Sequence, residues 1–263
     1  MRTLLALALL CSTALAQAAV QTREIRYQDD NGTALIGYYA YDDAVEGKRP
    51  GVVVVHEWWG LNDYAKRRAR DLAALGYNAL AIDMYGDGKH TEHPQDAQAF
   101  MAAAMKDPAA AARRFDAGLE LLKLQPNTNK HQLGAVGYCF GGAVVLDAAR
   151  RGEKLDGVVS FHGALATKTP AKPGAVRAKV LVEHGEADSM VTAEQVAAFK
   201  AEMDAAKVDY EFVGIPGAKH GFTNPDAARL SHGGHGVPDI GYDKAADESS
   251  WKDMQAFFKK AFD

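Results

Sequence analysis

The sequence predicts a single α/β domain, a mostly parallel twisted sheet with helices on both faces. Three observations predict it. Apolar runs of strand length alternate with helical stretches of ten or more residues, the pattern of strand–helix–strand units. Gly51–His56 is almost unbroken valine, as a central strand buried on both faces requires. The apolar run Leu133–Val136 leads straight into Gly137-Tyr138-Cys139-Phe140-Gly141-Gly142 and then into a helical stretch.

Taken in order, Tyr27–Thr33 and the weakly alternating Ala34–Tyr41 suggest an opening hairpin. The valine strand Gly51–His56 follows, then a helix over Asp63–Leu75 that stops at Gly76. Asn78–Ile82 reads as a second short buried strand. Gln95–Met105 and Ala109–Leu124 are alanine-rich helices separated by Asp107-Pro108. After the strand ending at Val136, a helix runs to about Arg151. Strands at Gly157–Phe161 and Lys179–Glu183 come next, and then a helix over Thr192–Ala205 with Thr192 as N-cap. Tyr210–Val213 is the last strand, and Asp247–Phe262 closes the domain as an amphipathic helix.

Gly-x-nucleophile-x-Gly between a buried strand and a helix is the signature of a nucleophile elbow. The turn strains the central residue and thrusts its side chain above the sheet. The glycines are needed because a side chain there would collide where strand and helix cross. The central residue here is Cys139, and the elbow identifies the α/β-hydrolase fold. The alternative is a small buried core cysteine, but the flanking glycines weigh against it.

The chain has 263 residues, a formal charge of −4 and two cysteines. Arg2, the apolar stretch Leu4–Leu10 and the small residues Ala14-Leu15-Ala16 or Ala16-Gln17-Ala18 read as a secretory signal, residues 1–18, that is cleaved. The domain then spans residues 20–263, and export across the inner membrane to the periplasm is expected. The apolar stretch is too short to span a bilayer, so no membrane anchor is expected. A lipoprotein would acylate Cys11, but Leu10 occupies the place where a small residue is wanted. With the signal removed, Cys139 is the only thiol and no internal disulfide is possible. Loss of Arg2 makes the charge −5, which argues against a nucleic-acid partner. Oligomeric state is not legible.

Catalytic groups on such sheets gather at the carboxyl ends of the strands. Gly185-Glu186-Ala187-Asp188 follows strand Lys179–Glu183, where this architecture places its acid. Gly217-Ala218-Lys219-His220-Gly221-Phe222 follows the last strand, where it places its histidine. The order Cys139, Asp188, His220 is nucleophile, acid, base. Glu183 and Glu186 are rivals for the acid; Asp188 is preferred because Glu183 is still on the strand and Glu186 comes early in the turn.

These residues resemble the dienelactone hydrolase family from about Thr22 to the C-terminus. The thiol elbow, Asp188 and His220 match the family's nucleophile, acid and base. His56-Glu57-Trp58-Trp59-Gly60 matches the segment in which the family keeps a glutamate that contacts the resting thiol and governs its ionisation, so the resemblance makes Glu57 a candidate catalytic residue. Tyr85 also matches. The resemblance further implies that the Trp58 N–H joins that of Phe140 in an oxyanion hole. Family members hold a substrate carboxylate with two arginines; this chain has Asp87 and Asn224 at those positions. Asp87 would repel a carboxylate and Asn224 offers only a neutral hydrogen bond, so neutral esters or lactones are the expected substrates. Lys89 and Lys219 are partial substitutes.

The residues specify chemistry independently of the family. A thiol with a histidine base and an acid partner suits ester or lactone hydrolysis through an acyl-thioester. Trp58, Trp59, Tyr85, Tyr138 and Phe222 are candidate pocket walls, with Trp59 and Tyr138 equally readable as core. Asp83 reads as a loop anchor. His232-Gly233-Gly234-His235 and His90-x-x-His93 lack partners at a recognised metal spacing, so no metal is expected. Without a Walker loop or a Gly-x-Gly-x-x-Gly after the first strand, no cofactor is expected either. Two alternatives remain: a thiol redox or peroxide-sensing protein, which lacks a resolving cysteine, and a silent binding protein on a hydrolase scaffold.

Overall fold

The computed structural model describes residues 20–231 and 240–263. The presumptive signal with Cys11, and the His232-Gly233-Gly234-His235 pair, lie outside the described residues.

Among the described residues, eight strands build one sheet: β1 (Val20–Gln28), β2 (Ala34–Asp42), β3 (Arg49–Val55), β4 (Asn78–Ile82), β5 (Thr128–Tyr138), β6 (Gly157–Phe161), β7 (Lys179–Gly185) and β8 (Tyr210–Ile215). Among the described residues, seven helices accompany them, five between strands and two after β8: α1 (Asp63–Ala74), α2 (Pro94–Met105), α3 (Pro108–Lys123), α4 (Phe140–Arg151), α5 (Ala193–Ala206), the short α6 (Ala227–Ser231) and α7 (Lys244–Phe262). The sheet order is β1-β2-β4-β3-β5-β6-β7-β8. β1 and β2 pair antiparallel, as does β2 with β4, and every later pair is parallel.

The core forms on both faces because strand side chains alternate. Val53 and Val55 of β3 join one cluster with Phe115 and Leu119 of α3, Val145 of α4 and Phe199 of α5. Val52 and Val54 join the other with Ala65, Ala69 and Leu72 of α1 and Phe257 and Phe258 of α7. All four valines are fully buried, which is why the run reads as continuous rather than alternating.

Elements matched their expected positions to within one or two residues except at four places, one of them α7, which begins at Lys244 rather than Asp247. β1 spans Val20–Gln28 and overlaps the expected Tyr27–Thr33 only at Tyr27 and Gln28, because its mostly exposed, polar sequence carries little hydrophobic signal. β5 begins at Thr128, before the apolar run, and its register on β3 shifts between Pro50 and Gly51. α6, five residues long, was not anticipated. No described helix is long and apolar enough to cross a membrane.

The strand order reverses about β3, which has β4 on one side and β5 on the other. A crevice at the carboxyl ends is expected at such a switch point. Glu57, Cys139, Asp188 and His220 all lie just beyond those ends, after β3, β5, β7 and β8 respectively.

Candidate active site

Cys139 sits between β5 and α4 with φ 53° and ψ −114°, a conformation that costs an ordinary residue energy. Crowding enforces it. A Cβ on Gly137 would overlap the Gly141 carbonyl, and one on Gly141 would overlap the Val55 carbonyl. The Cys139 N–H donates to the Phe161 carbonyl at 3.0 Å, which ties the turn to β6. The thiol is half-buried, makes no capping bond to α4 and is a free cysteine. Phe140 is the first residue of α4, so its N–H has no partner within the helix.

Asp188 and His220 meet across two loops. His220 Nδ1 lies 2.8 Å from Asp188 Oδ2, with both residues buried. The other Asp188 oxygen accepts from the Met190 N–H at 2.7 Å. The loops are stitched together by the Ala187 N–H, which donates to Ala218 O at 2.9 Å. His220 Nε2 is buried and has no hydrogen-bond partner among the described residues. Burial disfavours a charged His220, but the Cys139 sulfur and the Asp188 bond outweigh it and push the imidazole up to about 10. The sulfur is therefore close enough to be felt electrically by His220.

Glu57 is buried and is hydrogen-bonded by Asn224, whose Nδ2 donates to Glu57 Oε2 at 2.6 Å. Burial pushes the Glu57 carboxyl up to about 7, although the Asn224 bond and the charge of His220 pull the other way. His56 holds the segment in place. Its Nδ1 contacts Glu57 O at 2.5 Å, and its Nε2 accepts from the Met84 N–H at 3.2 Å. The Tyr85 hydroxyl donates to Trp58 O at 3.0 Å.

The pocket expectations need correction. Trp59, Tyr138 and Phe222 are at most 1% exposed and offer a substrate no surface. Trp59 packs with Ala97 and Leu230, while Tyr138 and Phe222 belong to the cluster under α1 and α7. Trp58 is half-buried and Tyr85 nearly buried, both at the edge of the other core cluster. Asp87 occupies an exposed turn with φ 53°, its N–H donating to Ala34 O at 3.0 Å. Asn224 is engaged by Glu57. Asp83 anchors its loop, accepting from the N–H groups of Ile36, Tyr85, Gly86 and Gly88.

Sequence reasoning missed His162, which directly follows β6, is fully buried and packs edge-on against His220 with ring centroids 5.2 Å apart. The available signal was its place at the carboxyl end of a central parallel strand. Thr223, Tyr64 and Arg68, bonded in series behind it, had no local signal. His90 and His93 are exposed, and no cluster of three or more metal-ligating side chains occurs among the described residues.

Comparison with known proteins agrees with this geometry. The sequence pattern of the dienelactone hydrolase family matches residues 35–262. A crystal structure described as a dienelactone hydrolase-like promiscuous phosphotriesterase, P91, from metagenomic libraries is 38% identical. It superposes with a TM-score of 0.87, covering 93% of this chain and 100% of that one. A "Probable 2-oxo-3-(5-oxofuran-2-ylidene)propanoate lactonase" of Bradyrhizobium sp. is 28% identical over 201 residues, 73% of this chain and 80% of the relative. An uncharacterized protein of Caenorhabditis elegans is 38% identical over 154 residues, 57% of this chain and 92% of the relative. The chain belongs to the dienelactone hydrolase family, hydrolases built on the α/β-hydrolase fold.

Proposed function

We propose that the protein hydrolyses small neutral esters or lactones through Cys139, His220 and Asp188, with an acyl-thioester intermediate. The observation that carries this reading is the His220–Asp188 bond, with Nε2 left unpartnered beside a strained elbow cysteine. Pushed up to about 10, His220 is the group that takes and holds the thiol proton as the sulfur attacks. A carbon–sulfur bond forms and the carbonyl electrons move to oxygen. The N–H groups of Phe140 and Trp58 receive that oxyanion; one such donor is worth about 3–4 kcal/mol. Collapse expels the alkoxide or enolate, which takes the Nε2 proton. Neutral His220 then removes a proton from water, hydroxide adds to the thioester, and the thiolate leaves as the acid forms.

Asp188 fixes the tautomer of His220 and stabilises its charge. Asn224 and Glu57 hold each other, and a substrate carboxylate placed there would meet a carboxyl that ionises near neutrality. Thiolate leaves more readily than amine, so esters suit the site better than amides. The lactonase name of the Bradyrhizobium relative supports a lactone as substrate, while the propanoate in that name carries a carboxylate that the neutral preference proposed for this chain would disfavour. Steady-state hydrolysis of p-nitrophenyl acetate tests the reading. Wild type should turn over and Cys139→Ala, which the tight turn tolerates, should lose activity by at least about a thousandfold. An alanine variant that keeps wild-type rates would refute it.

We also propose that residues 1–18 direct export to the periplasm, supported by Arg2, the apolar stretch and the small residues after it. N-terminal sequencing of protein recovered from its native host should begin near Gln17 or Ala19; an intact Met1 terminus would overturn this.

A further inference from the structure

A second buried histidine lies against His220 and takes no part in the chemistry above. His162 turns the chain at the end of β6 with φ 40°, its N–H donating to Glu183 O at 2.8 Å. Its Nε2 is 2.7 Å from Thr223 Oγ1, and Thr223 Oγ1 is 2.6 Å from the Tyr64 hydroxyl. Arg68 closes the series. Its Nε donates to the Tyr64 hydroxyl at 3.3 Å, a second nitrogen donates to Thr223 O at 2.8 Å, and it pairs with Asp247. The ring of His162 also meets Phe222 edge-on at 5.2 Å.

The donors favour one direction for this chain. A guanidinium only donates, so the Tyr64 oxygen accepts from Arg68 and its own proton goes to Thr223. Thr223 in turn donates to His162 Nε2, which leaves the histidine's proton on Nδ1. His162 Nδ1 has no hydrogen-bond partner among the described residues, so either direction leaves one buried donor unpaired, Nδ1–H or the Tyr64 O–H. The backward one also strands the Nδ1 lone pair, so the forward direction leaves fewer polar groups unpaired.

We propose that His162 is a positioning residue for His220: a neutral imidazole protonated at Nδ1, locked by Thr223 three residues beyond the base. This rests on the reading of His220 as the base. The surroundings favour neutrality. Burial lowers the His162 pKa well below its ordinary value, and the charges of His220 and Arg68 act in the same direction. The groups facing it are His220 from the loop after β8, Arg68 through Tyr64 and Thr223 from α1, and the Tyr138 ring from β5, with centroids 6.2 Å apart. A neutral ring there lets His220 become charged without a like-charged neighbour. The Thr223 bond holds the His220 loop so that Nε2 stays on the thiol side, and a displacement of an ångström is enough to slow such chemistry about a hundredfold.

The test uses the full chain labelled with 15N-histidine, together with Thr223→Val and, as a second variant, Tyr64→Phe. In wild type, one histidine should show a pyrrole-type Nδ1 and a pyridine-type Nε2 that stay unchanged from pH 6 to 9 (roughly the span around the ordinary histidine pKa). Thr223→Val should release that fixed tautomer. It should lower kcat for p-nitrophenyl acetate by about tenfold with KM nearly constant, and move the histidine limb of the kcat–pH profile. Tyr64→Phe should give the same changes in smaller degree. A proton on Nε2, or titration of this histidine near neutrality, would overturn the assigned polarity whatever the enzyme's activity. Folded Thr223→Val with wild-type kcat and pH profile would overturn the positioning role. If wild type failed to hydrolyse the ester, the function proposed for Cys139 would fall, while the tautomer result would still decide the state of His162.

Discussion

Asn224 changes what Glu57 can do. Paired at 2.6 Å and buried, Glu57 is a carboxyl poised near neutrality within electrical reach of His220. Above about 7 it becomes an anion that favours the charged form of His220. Glu57→Gln should therefore erase the inflection near pH 7 in the kcat/KM profile and shift the His220 limb to lower pH. A profile that superposes on wild type would show that Glu57 is only a structural acceptor. The same arrangement sets specificity. With Asn224 occupied and Asp87 turned to solvent, neither arginine position offers a cation. A neutral lactone should be favoured over its carboxylated analogue by at least about tenfold in kcat/KM, about 1.4 kcal/mol. Preference for the carboxylated member would mean that another cation lines the pocket. At this scale the positions of Cys139, Asp188 and His220 were legible, because each follows its own strand and falls in a fixed chain order. The Glu57–Asn224 bond, spanning 167 residues, was not, and neither was the burial of Phe222. An aromatic near a site reads the same from sequence whether it faces substrate or core.

At the scale of elements, the elbow is held by backbone crowding rather than by any side-chain bond. Gly137→Ala would drive a methyl into the Gly141 carbonyl, so α4 could not seat against β5. We expect a loss of more than about 3 kcal/mol in urea unfolding, with activity lost in parallel. A stable, active variant would show that the turn can relax. Helix α5 shows a milder case. Thr192 accepts from the Gln195 N–H at 3.3 Å and the Gln195 side chain returns a bond to the Thr192 N–H, a reciprocal cap. Thr192→Ala should cost about 1 kcal/mol and leave the kinetics untouched. Most elements were readable because buried parallel strands and capped helices announce themselves in hydrophobic runs and boundary residues. β1 was misplaced toward Tyr27–Thr33 for the opposite reason: an exposed edge strand is specified by pairing with β2, along nine residue pairs, rather than by its own pattern.

For the molecule as a whole, buried ionisable groups set how stability varies with pH. Burial raises Glu57 from 4.5 to about 7 and, first by burial and then by Asp253 and Glu211, Glu183 to about 8. The folded protein keeps protons that the unfolded chain releases above 4.5, so this stability is present at low pH and lost as pH rises through 7 and 8. His220, raised from 6.5 to about 10, acts in the same sense over that range. His56 and His162, both lowered by burial, act in the opposite sense and only below about 6.5. From pH 6.5 upward these trends agree, and Tm should fall between about pH 6.5 and 9. Glu183→Gln should remove about 2 kcal/mol of that loss between pH 6.5 and 8. Calorimetry showing an unchanged slope would contradict the assignment.

The central claim is that Cys139 carries the acyl group. Rapid acid quench of the protein during turnover of p-nitrophenyl acetate, followed by peptide mass spectrometry, tests it most directly. One acetyl group should appear on the peptide containing Cys139, as a hydroxylamine-labile thioester, and Cys139→Ala should show none. Turnover with an acetyl group on another residue, or undiminished turnover by the alanine variant, would contradict the account.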